Sequence, residues 1–151
     1  MSTAIRKVLE ALSERLAAIP GWTVAIDRPA DRPFTRNEGR AVNIRFISVD
    51  FSLFDGGTML HRLEVDLDLY ARPTALENLS TVQADMQAEA VAALWEDRFL
   101  GGRVQDIVPQ SFEGDTTNLA EAGIAPLKIQ ILFLTPVGDF RTICGQAGNI
   151  F

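Results

Sequence analysis

The chain has 151 residues, which fits one ordinary domain with a substantial buried core. Hydrophobic residues make up 47% of it and charged residues 23%, and no apolar run approaches the ~20 residues of a membrane-spanning helix, so the composition is that of a globular protein outside the membrane. The formal net charge of −6 argues against non-specific nucleic-acid binding, which rests on Lys and Arg.

The first half of the chain predicts one helix followed by three strands. Apolar residues at helical spacing over about residues 3 to 19, with Ser2 or Thr3 as N-cap and a stop at Pro20-Gly21, predict an amphipathic helix. The alternation in "WTVAID" predicts a short strand. Residues 41 to about 54 and the segment "HRLEVDLDLYAR" predict two further strands, joined by a hairpin at Asp55-Gly56-Gly57.

The second half predicts a long helix and two strands. Thr74 stands three residues before Glu77 in a capping-box arrangement, so the helix is expected over about residues 74 to 98. "RVQDIVPQSFEGD" predicts a strand bent or ended near Pro109, residues 113 to 126 a long loop, and "LKIQILFLT" a buried strand. The expected fold is α+β: a mostly antiparallel sheet of about five strands with two amphipathic helices on one face, in the order α-β-β-β-α-β-β.

An arginine-rich segment and the C-terminus are candidate interfaces. The segment "DRPADRPFTRNEGR" contains two prolines, which exclude a continuous helix and predict a basic loop carrying Arg28, Arg32, Arg36 and Arg40. Arginine forms bidentate contacts with carboxylates, so this loop is expected at an interface, the alternative being a solvated loop. Residues 1 to 140 are expected to form one domain. Residues 141 to 151 then form a tail. The chain from Val137 onward is expected to be ordered by a partner, with the apolar interface candidates Phe140, Ile150 and Phe151.

The strand "HRLEVDLDLYAR" carries an acidic row, Glu64, Asp66 and Asp68, which alternates with apolar residues. The row is either a divalent-metal site or the solvent-facing side of a half-buried strand. Alternate strand residues are about 7 Å apart, so three carboxylates rarely converge on one ion, which favours the solvent-facing side. The only histidine, His61, is expected at the surface or partly packed, and the only cysteine, Cys144, excludes an internal disulfide. No phosphate-loop, dinucleotide or hydrolase motif is present, so no catalytic residue, cofactor or metal is expected.

The whole pattern resembles the tail terminator proteins of long-tailed phages. The resemblance rests on the opening helix ending "LAAIPGW", the hairpin arm "LEVDLDLYAR", the helix "TALENLSTVQADMQAEAVAAL" and the strand "LKIQILFLTPVGDF", and it extends over residues 1 to 140. It implies a non-enzymatic virion protein, assembled in the host cytoplasm, that forms a homohexameric ring on the last ring of the tail tube. Such a ring stops tube polymerisation and offers a surface to the head-tail connector or neck protein.

If the protein forms such a ring, DNA passes through it without specific binding, and an acidic inner wall would repel the phosphates. Glu64, Asp66 and Asp68 are the candidates for this lumen. The alternatives are a neck or head-completion adaptor of the same assembly and, less favoured, a metal-dependent hydrolase that uses the three acidic residues. No membrane association is expected.

Overall fold

The computed structural model describes residues 2–29, 40–72, 78–113 and 123–145. Within them the chain forms two helices and five strands, and the predicted α+β fold with element order α-β-β-β-α-β-β is confirmed. The helices are α1 (Ala4–Ala17) and α2 (Leu79–Glu96). The strands are β1 (Trp22–Ile26), β2 (Arg40–Asp55), β3 (Thr58–Ala71), β4 (Asp106–Phe112) and β5 (Gly123–Pro136).

The strands form one sheet in the order β1-β2-β3-β5-β4. β1 pairs with β2 in parallel, and every other neighbouring pair is antiparallel. β1 covers only residues 40–44 of β2, so the outer part of β2 is an edge of the sheet among the described residues. The hairpin of β2 and β3, together with β5, therefore extends past β1 as a long arm.

The core lies between one face of the sheet and the two helices. Alternate residues of β3, from Leu63 to Ala71, point to this face and are buried, together with apolar residues of α1 and α2. On the opposite face, a much smaller buried group surrounds Ala41 and Tyr70. No helix in the described ranges is long and apolar enough to cross a membrane.

The helix starts follow from capping side chains. Thr3 caps α1, as predicted, because its Oγ1 accepts a hydrogen bond from the Arg6 backbone N–H at 3.2 Å. For α2 the predicted start near residue 74 is wrong: the N-cap is Asn78, whose Oδ1 accepts the Thr81 backbone N–H at 2.9 Å. The predicted capping residues Thr74 and Glu77 lie outside the described residues.

Strand β5 begins earlier than the sequence suggested. The expectation of a loop up to residue 126 is wrong for its last four residues, because Gly123 to Pro126 already pair with the end of β3. Pro126 is tolerated there since β4 reaches only as far as Leu127, and the Pro126 carbonyl accepts the Glu113 backbone N–H at 3.1 Å. Residues 114–122 lie outside the described part of the chain.

The described residues after β5, 137–145, fold back onto their own chain, in contrast to the expectation that a partner orders them; residues 146–151 lie outside the described chain. The carbonyl of Phe140 accepts the Ala4 backbone N–H at 2.8 Å, at the start of α1, and the Cys144 backbone N–H donates to the Leu134 carbonyl of β5 at 2.9 Å. Gln105 Nε2 donates to the Gly145 carbonyl at 3.2 Å, and Ile143 packs against the core. We call residues 137–145 the C-terminal segment.

Candidate functional site

The acidic row lies on the sheet face that points away from the helices, and its three members have different surroundings. Glu64 is exposed, Asp68 is half-buried and Asp66 is only 7% exposed. Arg45, directly opposite Asp66 on β2, binds two of them: its Nη2 is 2.9 Å from Asp66 Oδ2, and its Nε is 2.9 Å from Asp68 Oδ2. Glu64 therefore faces solvent, as predicted for the row, whereas Asp66 and Asp68 form an ion-pair network with Arg45.

The electrostatics of this network are set by burial and by its cations. The hydrogen bond to Asp68 is the main reason why the pKa of Arg45 lies above its ordinary value. Burial raises the pKa of Asp66, although the charges of Arg45 and of Lys128, its register partner on β5, oppose the shift. The sheet face therefore carries interleaved charges of both signs.

The metal-site alternative gains no support from this geometry. Carboxylate oxygens of Asp66 and Asp68 are already hydrogen-bonded to the Arg45 guanidinium. Among the described residues, no group of three or more His, Cys, Asp or Glu side chains is arranged to hold a metal ion.

Two of the four arginines proposed as an interface lie in the described chain, and both contact their own fold. Arg28 follows β1, and its backbone N–H and carbonyl are bonded by the Asn43 side chain at 2.8 and 3.2 Å. Arg40 begins β2 and donates to Glu89 of α2 at 3.0 Å, and the other Glu89 oxygen accepts the Trp22 indole N–H at 3.0 Å. Arg32 and Arg36 lie outside the described residues.

His61 is buried, which corrects the expectation of a surface or partly packed position. It is 2% exposed because its strand position points to the core-side face of β3, where the arm and the C-terminal segment cover it. Its ring stacks on Phe133 with centroids 4.6 Å apart and meets Phe140 edge-on at 4.5 Å. The alternation of β3 predicts that His61 points to this face. Its burial also requires Phe140, which is 79 residues away in sequence and which alternation cannot identify.

Exposed apolar side chains form a surface on the arm. Phe51 is 52% and Leu53 64% exposed on β2, and Phe51 contacts Phe140 with ring centroids 5.1 Å apart. Val137 lies beside the hairpin turn, where its N–H donates to the Gly57 carbonyl at 3.0 Å. We define the arm surface as Phe46, Ile47, Phe51, Leu53, Val137 and Phe140. Of the predicted C-terminal interface residues, only Phe140 is described, since Ile150 and Phe151 lie outside.

Two further exposed apolar residues, Trp95 and Val108, lie near β4, at the opposite edge of the sheet. Trp95, at the end of α2, is 50% exposed and holds the Arg98 guanidinium 3.9 Å from its ring centroid. Arg98 in turn forms a bidentate ion pair with Asp106 of β4, in which Nε donates to Oδ1 at 3.0 Å and Nη2 to Oδ2 at 2.8 Å. The exposed Val108 lies two residues further along. Val108 is the register partner of Gln130, which pairs with Glu64, so it points to the sheet face of the acidic row, whereas Trp95 lies on α2, which packs on the other face. We call Trp95, Arg98, Asp106 and Val108, which lie on both sides of this edge, the β4-edge surface.

The exposed large apolar residues of the described chain all fall into these two surfaces. Of these residues, only Phe140 is among the interface candidates predicted from the sequence. The β-branched and aromatic residues of β2 predict a strand, but alternation does not show which part of the chain covers it. No protein-family model matches the sequence, and no curated protein is similar to it.

Proposed function

We propose that the chain is a structural subunit of a closed ring at the head-proximal end of a phage tail tube. There it terminates tube polymerisation and provides the surface to which the head is joined. The observation that carries this proposal is the presence of two different exposed apolar surfaces at opposite edges of one sheet. Large apolar side chains that are exposed together at an edge of a globular chain indicate protein–protein contacts.

A cyclic ring needs two different contact surfaces on each subunit. Its contacts are heterologous, so that one surface of a subunit meets another surface of the next, and repeated rotation closes the ring. The arm surface and the β4-edge surface meet this requirement, since β4 ends the sheet on one side and the outer part of β2, beyond the residues that β1 covers, ends it on the other. The hexameric size comes from the resemblance to tail terminators.

The β4 edge is suited to side-chain contacts rather than to pairing with another strand. Pro109 has no backbone N–H, and the register shifts between Pro109 and Ser111, both of which disrupt a regular ladder at a sheet edge. Trp95 and Arg98 belong to the residue types that dominate binding energy at interfaces. We therefore propose that Leu53 and Phe51 of one subunit pack against Trp95 and Val108 of the next.

The sheet face that carries the acidic row is proposed to face the DNA channel. In strands β2, β3 and β5 the cations Arg45, Arg62 and Lys128 are interleaved with four carboxylates, those of Asp50, Glu64, Asp66 and Asp68. Such a face attracts phosphates far less than a basic one, which suits passage of DNA without binding. Glu64, the exposed member of the row, is the residue expected to contribute most to repulsion.

Electron microscopy of particles assembled without this chain tests the proposed function. Tails of uncontrolled length are expected, because tube polymerisation would lack its stop. Tails of normal length that remain detached from heads would instead identify a neck or head-completion adaptor, and normal particles would contradict a role in either position.

A further inference from the structure

A buried aromatic cluster links the arm to the C-terminal segment, and the only histidine of the chain lies at its centre. His61 is enclosed by the rings of Phe133 on β5, Phe140 on the C-terminal segment and Phe51 on β2, with centroids 4.6, 4.5 and 5.6 Å away. Its Nε2 lies 2.8 Å from Thr135 Oγ1, whereas its Nδ1 is buried without a hydrogen-bond partner.

These contacts assign the tautomer of His61. The Thr135 hydroxyl is positioned to donate to the Pro136 carbonyl at 3.2 Å, which leaves its oxygen to accept from the imidazole. His61 therefore carries its proton on Nε2, and Nδ1 is left with an unused lone pair. The opposite tautomer would bury an N–H donor without an acceptor, which costs more than an unused lone pair.

Protonation of His61 would place a positive charge and a new N–H donor at Nδ1, where no acceptor is present. The charged groups of the packed elements are occupied elsewhere. Asp50 and Arg62 pair with each other at 3.1 Å on the opposite sheet face. Asp139 accepts from Arg141 N and Thr142 Oγ1, and Lys7 of α1 donates to the Arg141 carbonyl. None of these contacts compensates a charge on the imidazole.

Phe140 is the part of this enclosure that can leave without breaking the sheet. Phe133 and Phe51 are held in β-ladders, whereas Phe140 lies in a turn and is 39% exposed. Its displacement would open Nδ1 to water. It would also remove the carbonyl that accepts the Ala4 N–H of α1, so the change would spread to the start of that helix.

We propose that His61 is a proton-sensitive latch: in its neutral form it holds Phe140 and the C-terminal segment against the arm, and its protonation releases them. Because Phe51 and Phe140 also belong to the arm surface, acidification reshapes that surface. The latch is a property of the single chain and does not depend on the proposed ring.

The direction of the pH effect follows from burial. Burial lowers the pKa of His61 below its ordinary value of 6.5, so the closed form binds the proton more weakly than an open form does. Above about pH 6.5, neutral His61 contributes its full stabilisation of the closed segment. This contribution decreases as the pH falls below that value. The opening equilibrium constant then rises by up to about tenfold per pH unit.

Nuclear magnetic resonance on the intact isolated chain tests the latch. The single histidine gives one imidazole signal, whose titration reports its pKa without assignment ambiguity. Amide hydrogen exchange of Ala4 and Cys144 reports the segment, because both N–H groups donate to the contacts that would open. The Ala90 amide, in the middle of α2, is the reference for global unfolding. All rates are corrected for intrinsic exchange between about pH 7.5 and about pH 5.5.

The latch predicts a pKa below 6.5, faster corrected exchange at Ala4 and Cys144 on acidification, and faster corrected exchange at these two amides than at Ala90 at each pH, because the segment opens without global unfolding. In the His61→Gln variant, which cannot titrate there, this acceleration should be absent. A pKa at or above 6.5, equal acceleration in the variant, or exchange of Ala4 and Cys144 no faster than that of Ala90 would overturn the proposal. If the variant does not fold, the wild-type comparison of the segment with Ala90 still decides the question.

Discussion

At the scale of single residues, Arg45 bridges two carboxylates of the acidic row. It binds Asp66, whose side chain is 10% exposed, and Asp68, whose side chain is 17% exposed, while its own side chain is 48% exposed. A buried carboxylate that loses its partner keeps the desolvation penalty without compensation. Arg62 makes a similar pair with Asp50, but that carboxylate is 76% exposed and is solvated by water.

The substitution Arg45→Met is expected to lower the free energy of unfolding by about 1 to 3 kcal/mol near neutral pH. The matched control, Arg62→Met on the neighbouring strand, should cost no more than about 1 kcal/mol, because its partner is exposed. Urea denaturation of both variants measures these values. Equal losses of unfolding free energy in the two variants would contradict the prediction that Arg45 compensates buried carboxylates.

The loss in the Arg45 variant should also depend on pH. Without the guanidinium, the already raised pKa of Asp66 rises further, so the folded chain binds this proton more tightly than the unfolded chain. Stability then increases as the pH falls through the interval between the folded pKa and the ordinary value of 3.8. The deficit is therefore largest at neutral pH and shrinks on acidification.

Residue positions were only partly predictable from the sequence. Alternation assigned Glu64, Asp66 and Asp68 to one face of a strand, and the structure confirms that they share it. The burial of Asp66 depends on Arg45 and Lys128, which come from strands 21 residues before it and 62 residues after it, and whose register cannot be read from local pattern. The burial of His61 depends in the same way on the distant Phe140.

At the scale of elements, capping and anchoring contacts define where α2 and the C-terminal segment begin and end. Asn78 Oδ1 accepts hydrogen bonds from the backbone N–H of Thr81 and from the hydroxyls of Ser80 and Thr81, at 2.9 to 3.0 Å. The capping box at Thr74 was an equally good local signal, and the sequence offers no means to choose between two N-caps four residues apart.

The substitution Asn78→Ala distinguishes the two starts of α2. As N-cap, Asn78 is expected to contribute about 1 kcal/mol, so its replacement should lower the free energy of unfolding by that amount. If the helix began near residue 74, Asn78 would be an interior residue. Alanine, the better helix former, would then leave stability unchanged or raise it. Thermal or urea denaturation of the variant decides between these outcomes.

Two truncations measure how far the C-terminal segment belongs to the fold. One chain ends after Phe140 and the other after Gly145, so their difference isolates residues 141–145 and their bonds to Lys7, Leu134 and Gln105. The shorter chain should be less stable by about 1 to 3 kcal/mol, since each hydrogen bond contributes about 1 kcal/mol. Equal melting temperatures would restore the original expectation that these residues need a partner.

At the scale of the whole molecule, the element order was predictable and the arrangement of edges was not. Periodicity, turns and strand lengths gave α-β-β-β-α-β-β, but the strand order β1-β2-β3-β5-β4 depends on pairing between distant segments. That order makes the outer part of β2 one edge and β4 the other. Only this arrangement places the exposed Leu53 and Trp95 at opposite edges of the sheet.

The account predicts that the arm surface of one subunit meets the β4-edge surface of the next, and cysteine cross-linking measures this contact directly. Leu53→Cys and Val108→Cys are introduced together into a chain in which Cys144 is replaced by serine, and assembled particles are oxidised. Chains with only one of the two cysteines are the controls, because a heterologous contact does not bring identical residues together.

We expect the double variant to give a ladder of covalent oligomers that ends at the closed ring, with no cross-linking in either single variant. A ladder that ends at a single dimer, efficient cross-linking of the Leu53→Cys chain to itself, or the absence of any cross-link in well-formed particles would contradict the proposed ring contact.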